Sequence, residues 1–384
     1  RDLFEKDFEQ AYYAGVSNQF FASILTPAEP YDASLWAKKE MVDLPEAAGG
    51  GEKRALRAAL SLPSEKLAPE GGKKLLEYEL YLGPKDNGTL RSLGQDRGNV
   101  MDYGMFGIIS SPLNWLLNFL HDAIFTHVAN KWSWGLSIVA LTIIIRALMW
   151  PLQNKSTRSM KRMSKLQPEM AKLKEKYPDD PQKMQQEMMK LYREYNINPV
   201  GGCLPMLVQI PIFFGFYRML QFAVELRQQG FLWVDDLSQP DTLYTFNLPF
   251  SLPFLGDQLP LNILPIVMAA TMVLQMALTP KTGDKMQQRI FMLMPLIFFF
   301  FCYNFASALA LYWTTSNIFA IGQMMINNRL PEPELKRAKV SKKGWMQRMQ
   351  ERADEMQRLQ KQRSSGNPGA PKKPRKPRGP RTGG

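Results

Sequence analysis

The apolar residues of this chain are gathered into five long runs between residues 134 and 328, and the flanks are polar. The runs are Trp134–Pro151, Cys203–Val224, Leu261–Pro280, Ile290–Asn304 and Ser307–Asn327. Each approaches or exceeds the roughly 20 residues a helix needs to cross a bilayer. The fourth is short and aromatic from Phe298 to Phe301, which fits a span tilted little or set in thinned lipid. A mean hydropathy of −0.26 averages over this segregation and hides it. An ordinary soluble globular protein is excluded.

Charge orients the runs. Residues 152–198 carry 11 Lys/Arg, residues 225–260 one, residues 281–289 three, the turn after Asn304 none, and the tail from Glu332 16. Positively charged loops stay in the cytoplasm. This places 152–198, 281–289 and the tail inside, and residues 1–131 outside.

Residues 1–102 mix short apolar stretches, Asn18–Leu25 and Leu75–Leu82, with a Gly-, Lys- and Glu-rich segment from Ala47 to Gly72. They read as the end of a β-rich soluble domain with one polar insertion; a disordered linker is the other reading. The first residue is Arg1, so the expectation is a fragment whose natural N-terminus is missing. Ser110-Ser111-Pro112 predicts a helix start. Ile109, Leu113, Leu116, Leu117, Leu120 and Ile124 then follow helical spacing, with Trp115 and Phe119 beside them. The stretch is too short and amphipathic to span. It fits a helix lying in the membrane interface, with a helix capping the soluble domain as the alternative.

Between the first two runs, Met160, Met163, Leu166, Met170, Leu173 and Tyr177 step by three or four, as do Met184, Met188, Leu191 and Tyr195. Tyr177-Pro178-Asp179-Asp180-Pro181 marks a turn between them. The expectation is a helical hairpin with a narrow apolar seam and basic outer faces, broken or kinked at Pro168.

Arg146 is the only charge in its run. A charge inside a span is costly and marks function by default. It lies about 8 Å from Pro151 at 1.5 Å per residue, so snorkelling stays open. Thr142, one turn earlier, shares its face. Gln209, Gln275, Thr314, Thr315, Ser316 and Asn317 add polar groups on other runs, and together they would line a wet cavity.

Several chemistries find no support. Cys203 and Cys302 both lie in apolar stretches, which excludes a disulfide scaffold and a Cys-ligated metal site. His121 and His127 leave little for His-dependent catalysis. No P-loop, zinc or Ser/His/Asp pattern is found, so no catalytic group, metal or cofactor is expected. A transporter or channel would predict an inverted repeat or broken half-helices, and no internal repeat is visible. A membrane enzyme would need a cluster of acid, base or metal ligands.

The segment from Asn198 through Pro199, Gly201, Gly202, Pro205, Gln209 and Pro211 to Phe214 resembles the most characteristic stretch of the YidC/Oxa/Alb family of membrane protein insertases. Gln186–Tyr192, Val224–Arg227, Ile143–Arg146 with Pro151, Met294-Pro295, and Leu311-Tyr312-Trp313 through Ser316-Asn317 also match. The resemblance covers about residues 81–328. Tyr81–Lys85 and Asp102-Tyr103-Gly104 look like the junction between periplasmic domain and membrane region in bacterial members, which carry an N-terminal membrane anchor not seen here. It implies a mainly α membrane protein with a core of five transmembrane helices, an interfacial helix and a cytoplasmic hairpin. The C-terminal part of a periplasmic β-sandwich would precede them. It implies an inner-membrane insertase and chaperone, not an enzyme, with a groove open to cytoplasm and lipid. Nascent membrane proteins enter it, alone or with the Sec translocon. The groove arginine falls on Arg146, the threonine on Thr142, and the mid-depth aromatic on Trp313 beside Tyr312. Gln209 and Gln275 complete the client-binding set. Aligned on Pro280, the family's groove glutamine falls on Met276, one residue from Gln275.

The tail from Glu332 has 16 Lys/Arg against five acids. Trp345, Met346, Met349, Met356 and Leu359 suit a short amphipathic helix, and the Pro/Gly-rich basic sequence after Arg363 suits disorder. Such a tail binds ribosomal RNA through phosphates or anionic membrane lipids; the family resemblance favours the ribosome. The expected organisation is 1–102 β-rich domain, 103–131 interfacial helix and connector, 132–330 membrane core with hairpin 152–198, and 331–384 basic tail.

Overall fold

The computed structural model describes residues 3–46, 50–61, 72–94 other than 74, 96–252, 256–280 and 285–331, with single positions in the tail. Of the amphipathic helix expected over 345–359 only Arg352 and Met356 are described, both as helical and exposed; the basic end after Arg363 lies outside the described residues.

Among the described residues the N-terminal region has six strands: β1 Leu3–Ala11, β2 Ala14–Ser17, β3 Phe21–Pro27, β4 Tyr31–Leu44, β5 Gly51–Ser61 and β6 Tyr78–Pro84. They form two antiparallel sheets of order β1-β4-β5 and β2-β3-β6. The expected polar insertion 47–72 is corrected in part, because residues 51–61 are a strand. β4 is long enough, at 14 residues, to template it along its whole length, from Ser34 opposite Ser61 to Leu44 opposite Gly51. Backbone pairing satisfies a polar strand as well as an apolar one. The sheets' small core joins Ala22 and Ile24 to Leu90, Met101 and Tyr103, with Phe222 of the helical region packed on it.

Helix α1 (Asn87–Ser92) is capped by Asp86, whose carboxylate accepts from the Thr89 amide at 2.6 Å. Helix α2 runs Gly107–Leu120 and passes through a π-helical turn, His121–Phe125, into the short α3, Thr126–Val128. The helix starts three residues before the expected Ser110. Pro112 sits within its first two turns, where it forfeits only one bond. Ser110 is buried, and its hydroxyl donates to the Gly215 carbonyl at 2.9 Å. A Cβ on Gly215 would stand 2.5 Å from Ile109, so the absent side chain lets α2 lie against its partner helix. α2 thus packs on the helical region, while Trp115 and Phe119 stay exposed.

Helices occupy all five apolar runs: α4 Ser133–Lys165, α7 Pro199–Phe222, α8 Ile263–Leu278, α9 Lys285–Cys302 and α10 Ser307–Arg329. Among the described residues, only the helical stretch Asn130–Lys165 is both long and apolar enough to cross a membrane by itself. α8 is only 16 residues long, and α10 carries Ser, Thr, Asn and Gln that dilute its hydropathy. The basic arm after Pro151 continues α4 without a break, and the chain breaks at Leu166, where Pro168 opens α5 (Gln167–Lys176). α6 (Pro181–Glu194) returns after a turn, its first amides capped by Asp180. Leu166, Tyr192 and Ile197 form a small core at the base of these arms.

α10 packs on α4 and α8, α4 on α7, and α9 on α8. A hairpin that sequence patterning did not reveal, β7 (Thr242–Leu252) with β8 (Gly256–Asn262), precedes α8. The segment before it closes one end of the bundle. Phe231, Val234 and Leu237 join a core with Leu113, Trp134, Ile138, Phe216 and Leu309. The Gln239 and Leu237 carbonyls accept from the Ser307 and Ala308 amides, at 2.8 and 3.0 Å, and Asp241 accepts from the Leu264 amide at 2.6 Å. The orphan donors that open α10 and α8 are thereby satisfied.

Candidate functional site

Polar side chains collect at the other end of the bundle, where α4, α7 and α10 meet. Along α4, Ser137, Thr142 and Thr157 return their hydroxyls to carbonyls four residues back, at 2.8, 2.7 and 3.0 Å. That local bond is how a hydroxyl is accommodated in an apolar helix. Thr142 is consequently buried and turned onto Ile138. Arg146, one turn on, has no such local option.

The Arg146 guanidinium turns across to α10 instead of running along α4 towards Pro151. Its Nε donates to the Ser316 hydroxyl at 2.6 Å, and Nη2 points to the same oxygen. Tyr312 lies one turn before Ser316, so both occupy one face of α10. The Tyr312 hydroxyl accepts from Gln209 Nε2 of α7 at 3.0 Å, and its ring stacks on Phe216 at 4.2 Å. Three helices thus contribute to one polar cluster, Arg146, Ser316, Tyr312 and Gln209. Among the described residues, the hydrogen-bond partner of the guanidinium is a single neutral hydroxyl, that of Ser316.

Of the other residues expected at a site, Trp313 leaves the cluster. Its ring packs on Phe298 of α9 at 4.3 Å and on Phe213 of α7 at 4.8 Å. Gln275 is half-buried on α8, and among the described residues its backbone carbonyl is engaged by Thr279. Asn317 donates to Thr271 at 3.1 Å and ties α10 to α8. The Thr314 hydroxyl is buried and has no hydrogen-bond partner among the described residues.

Sequence reasoning missed a second polar layer farther along. Gln323 and Asn327 both donate to Asn154 of α4, at 3.2 and 2.9 Å, and Lys161 donates to the Asn327 carbonyl at 2.8 Å. The signal was present: Tyr312, Ser316, Gln323 and Asn327 fall on one helical stripe, with Ala320 between. Among the described residues no group of His, Cys, Asp and Glu is arranged to hold a metal ion.

A family described as 60Kd inner membrane protein matches residues 124–334, and one described as YidC periplasmic domain matches residues 2–116. A protein of Syntrophobacter fumaroxidans named membrane protein insertase YidC is 45% identical over 257 residues, 67% of this chain and 44% of that protein. A protein of the same name from Pelobacter propionicus is 38% identical over 329 residues, 85% of this chain and 55% of that one. The chain spans about half the length of the curated relatives it matches. A crystal structure titled as an active YidC insertase with its first transmembrane domain resolved has a TM-score of 0.45 and 18% identity. That match covers 85% of this chain and 80% of the other.

Proposed function

This chain belongs to the 60Kd inner membrane protein family, and on that premise we propose that it is a membrane protein insertase that passes nascent membrane proteins into the bilayer through the polar end of its helix bundle. The observation that carries the reading is the Arg146–Ser316–Tyr312–Gln209 cluster, set in a bundle whose opposite end is sealed by apolar packing. In this reading α4, α7, α8, α9 and α10 all cross the membrane. The polar end faces the cytoplasm and the β-domain the periplasm, as the Lys/Arg alternation of the loops supports.

The mechanism is physical. A client must carry polar or acidic flanks across a layer where unpaired polar groups are costly. The hydroxyls, amide and fixed guanidinium of the cluster replace part of the lost hydration. Arg146 attracts acidic segments transiently, since its hydroxyl partner is easily exchanged for a carboxylate. The client's apolar segment then leaves sideways into lipid, driven by burial of its surface. No step makes or breaks a covalent bond.

The α5–α6 arms, with their narrow seam and basic faces, serve as a receiving surface at the cytoplasmic mouth. The basic tail holds the ribosome near it, and the Sec translocon and membrane lipids are the remaining partners. Site-specific crosslinking tests the reading. A photoreactive residue at 209, 312 or 316 should capture a stalled nascent chain, and one at 138 or 219, in the sealed end, should not. Equal capture from both sets, or none from either, overturns it.

A further inference from the structure

A cavity of about 730 Å3 lies between α1, the 3-10 turn Arg97–Met101 and the start of α2. Its size is within the roughly 300–1,000 Å3 of small-molecule sites. Two arginines and two aspartates line it: Arg91, Arg97, Asp96 and Asp102. Arg97 is 3% exposed and fixed by Glu79 at 3.0 Å, so it is a wall of the site. Arg91 is exposed, and its Nη2 reaches across to Ser111 of α2 at 2.7 Å. Asp96 is exposed as well, in left-handed backbone with φ 57°. The cavity therefore offers both signs of charge and formal neutrality, which suits a ligand carrying both.

What adjoins it narrows the ligand. Gly104 and Gly107 line the cavity, and the residues next to them, Met105 and Ile108, stand 86% and 88% exposed. Ile108, Pro112, Trp115 and Phe119 continue one face of α2, with the Trp115 and Phe119 rings stacked at 5.7 Å. A charged cavity that opens onto an apolar, aromatic strip has the outline of a phospholipid: a polar head, then acyl chains at the interfacial depth that Trp favours.

We propose that this cavity binds the headgroup of a zwitterionic phospholipid with a primary ammonium, of the phosphoethanolamine class. The phosphate sits on Arg91, with Arg97 behind it. The ammonium donates to Asp96 and Asp102, as a trimethylated amine cannot. The acyl chains lie along Met105, Ile108 and Trp115. The lipid assignment rests on the reading that puts α2 at the outer membrane surface. The bound lipid fastens the junction between β-domain and helices to that surface.

The test is lipid retention by the purified full chain in detergent, read by native mass spectrometry. Phosphatidylethanolamine should be kept roughly tenfold better than phosphatidylcholine, the scale of one charge-assisted hydrogen bond. Arg91→Gln should lower retention of phosphatidylethanolamine and phosphatidylglycerol alike. Asp96→Asn, which suits left-handed backbone, should narrow the preference for phosphatidylethanolamine over phosphatidylcholine, with Asp102 left as the remaining carboxylate. Both side chains are exposed, so both variants should melt with the parent. No headgroup preference, or a preference unmoved by either variant, overturns the proposal. Competition by water-soluble glycerophosphoethanolamine as strong as by the lipid overturns the lipid assignment. Cysteine labelling at position 96 tests the orientation independently: labelling only from the cytoplasm sinks the topology while the binding result still stands or falls alone.

Discussion

The two ends of the helix bundle are made from the same helices and solve opposite problems. At one end Trp134, Ile138 and Leu141 of α4 meet Phe216 and Met219 of α7 and Ala308, Leu309 and Leu311 of α10 in a continuous apolar core. Phe231 is pressed onto α4 so closely that a Cβ on Gly135 would stand 2.1 Å from its ring. At the other end the helices touch through Arg146, Ser316, Gln209, Asn154, Gln323 and Asn327. Leu204, Met206, Leu207 and Ile210 of α7 are exposed there. Close packing of apolar groups excludes water and transmits strain. A hydrogen-bonded contact can be exchanged for water or for a client at little cost. The difference is that between a seal and a mouth, and it can be broken at either end.

The largest effect should come from the seal. Phe216→Ala removes a fully buried ring that also supports Tyr312, and should cost about 3–5 kcal/mol. Unfolding in detergent and the amount of protein in the membrane would show it, with every client affected equally. Selective loss of acidic clients with stability unchanged would mean that Phe216 acts through Tyr312 at the mouth and not as part of a seal.

Glu225, just beyond α7, is a buried carboxyl at the sealed end. Burial, and then the neighbouring Asp86, push it up to about 7. A raised acid contributes stability that is full below about 4.5 and is lost as pH rises through 7. Melting temperature should therefore fall between pH 5 and pH 8 in the parent. Glu225→Gln should flatten that slope and raise stability at pH 8, by up to ~3 kcal/mol at ~1.4 kcal/mol per pH unit. An unchanged slope would show that Glu225 is not the group responsible.

At the mouth, charge should matter more than shape. Arg146→Lys keeps the charge without the planar fork and should retain most insertion. Arg146→Ala should lower insertion of a client with an acidic translocated segment by tenfold or more, given ~1.5–3 kcal/mol for a charged hydrogen bond. The measurement is insertion in vivo, normalised to protein level. If the alanine variant inserts that client normally, the groove mechanism is falsified.

The smallest effect should be that of Asn154→Ala, which removes the acceptor shared by Gln323 and Asn327. The mouth is wet in this reading, so about 1 kcal/mol or less is expected. A loss as large as that of Phe216→Ala would mean that this layer is a second seal, and the contrast between the ends would fail.

Much of this was legible in one dimension. Five apolar runs, a turn at Tyr177–Pro181 and a proline at 168 were enough to place a helix on each run, because helix formation and its breakers are local, although α4 runs on past the expected end at Pro151 to Lys165. Arg146 declared itself because a lone charge in an apolar run has no local remedy. Other features were silent. Residues 51–61 look like a polar insertion until β4 is beside them to pair with. β7 and β8 pair with each other across two register shifts and show no pattern that demanded a hairpin.

The sequence by itself thus determined which segments are helical, which carry charge and which lone charge needed explaining. Only tertiary structure decided what each polar group does with its hydrogen bonds. It turned Thr142 onto its own helix and Trp313 onto Phe298 and Phe213, and it set Arg146 on a serine 170 residues away. Periodicity reports that a helix has a polar face. Which other face it meets depends on how helices distant in sequence pack, and at that contact hydrogen bonds must be made or forfeited.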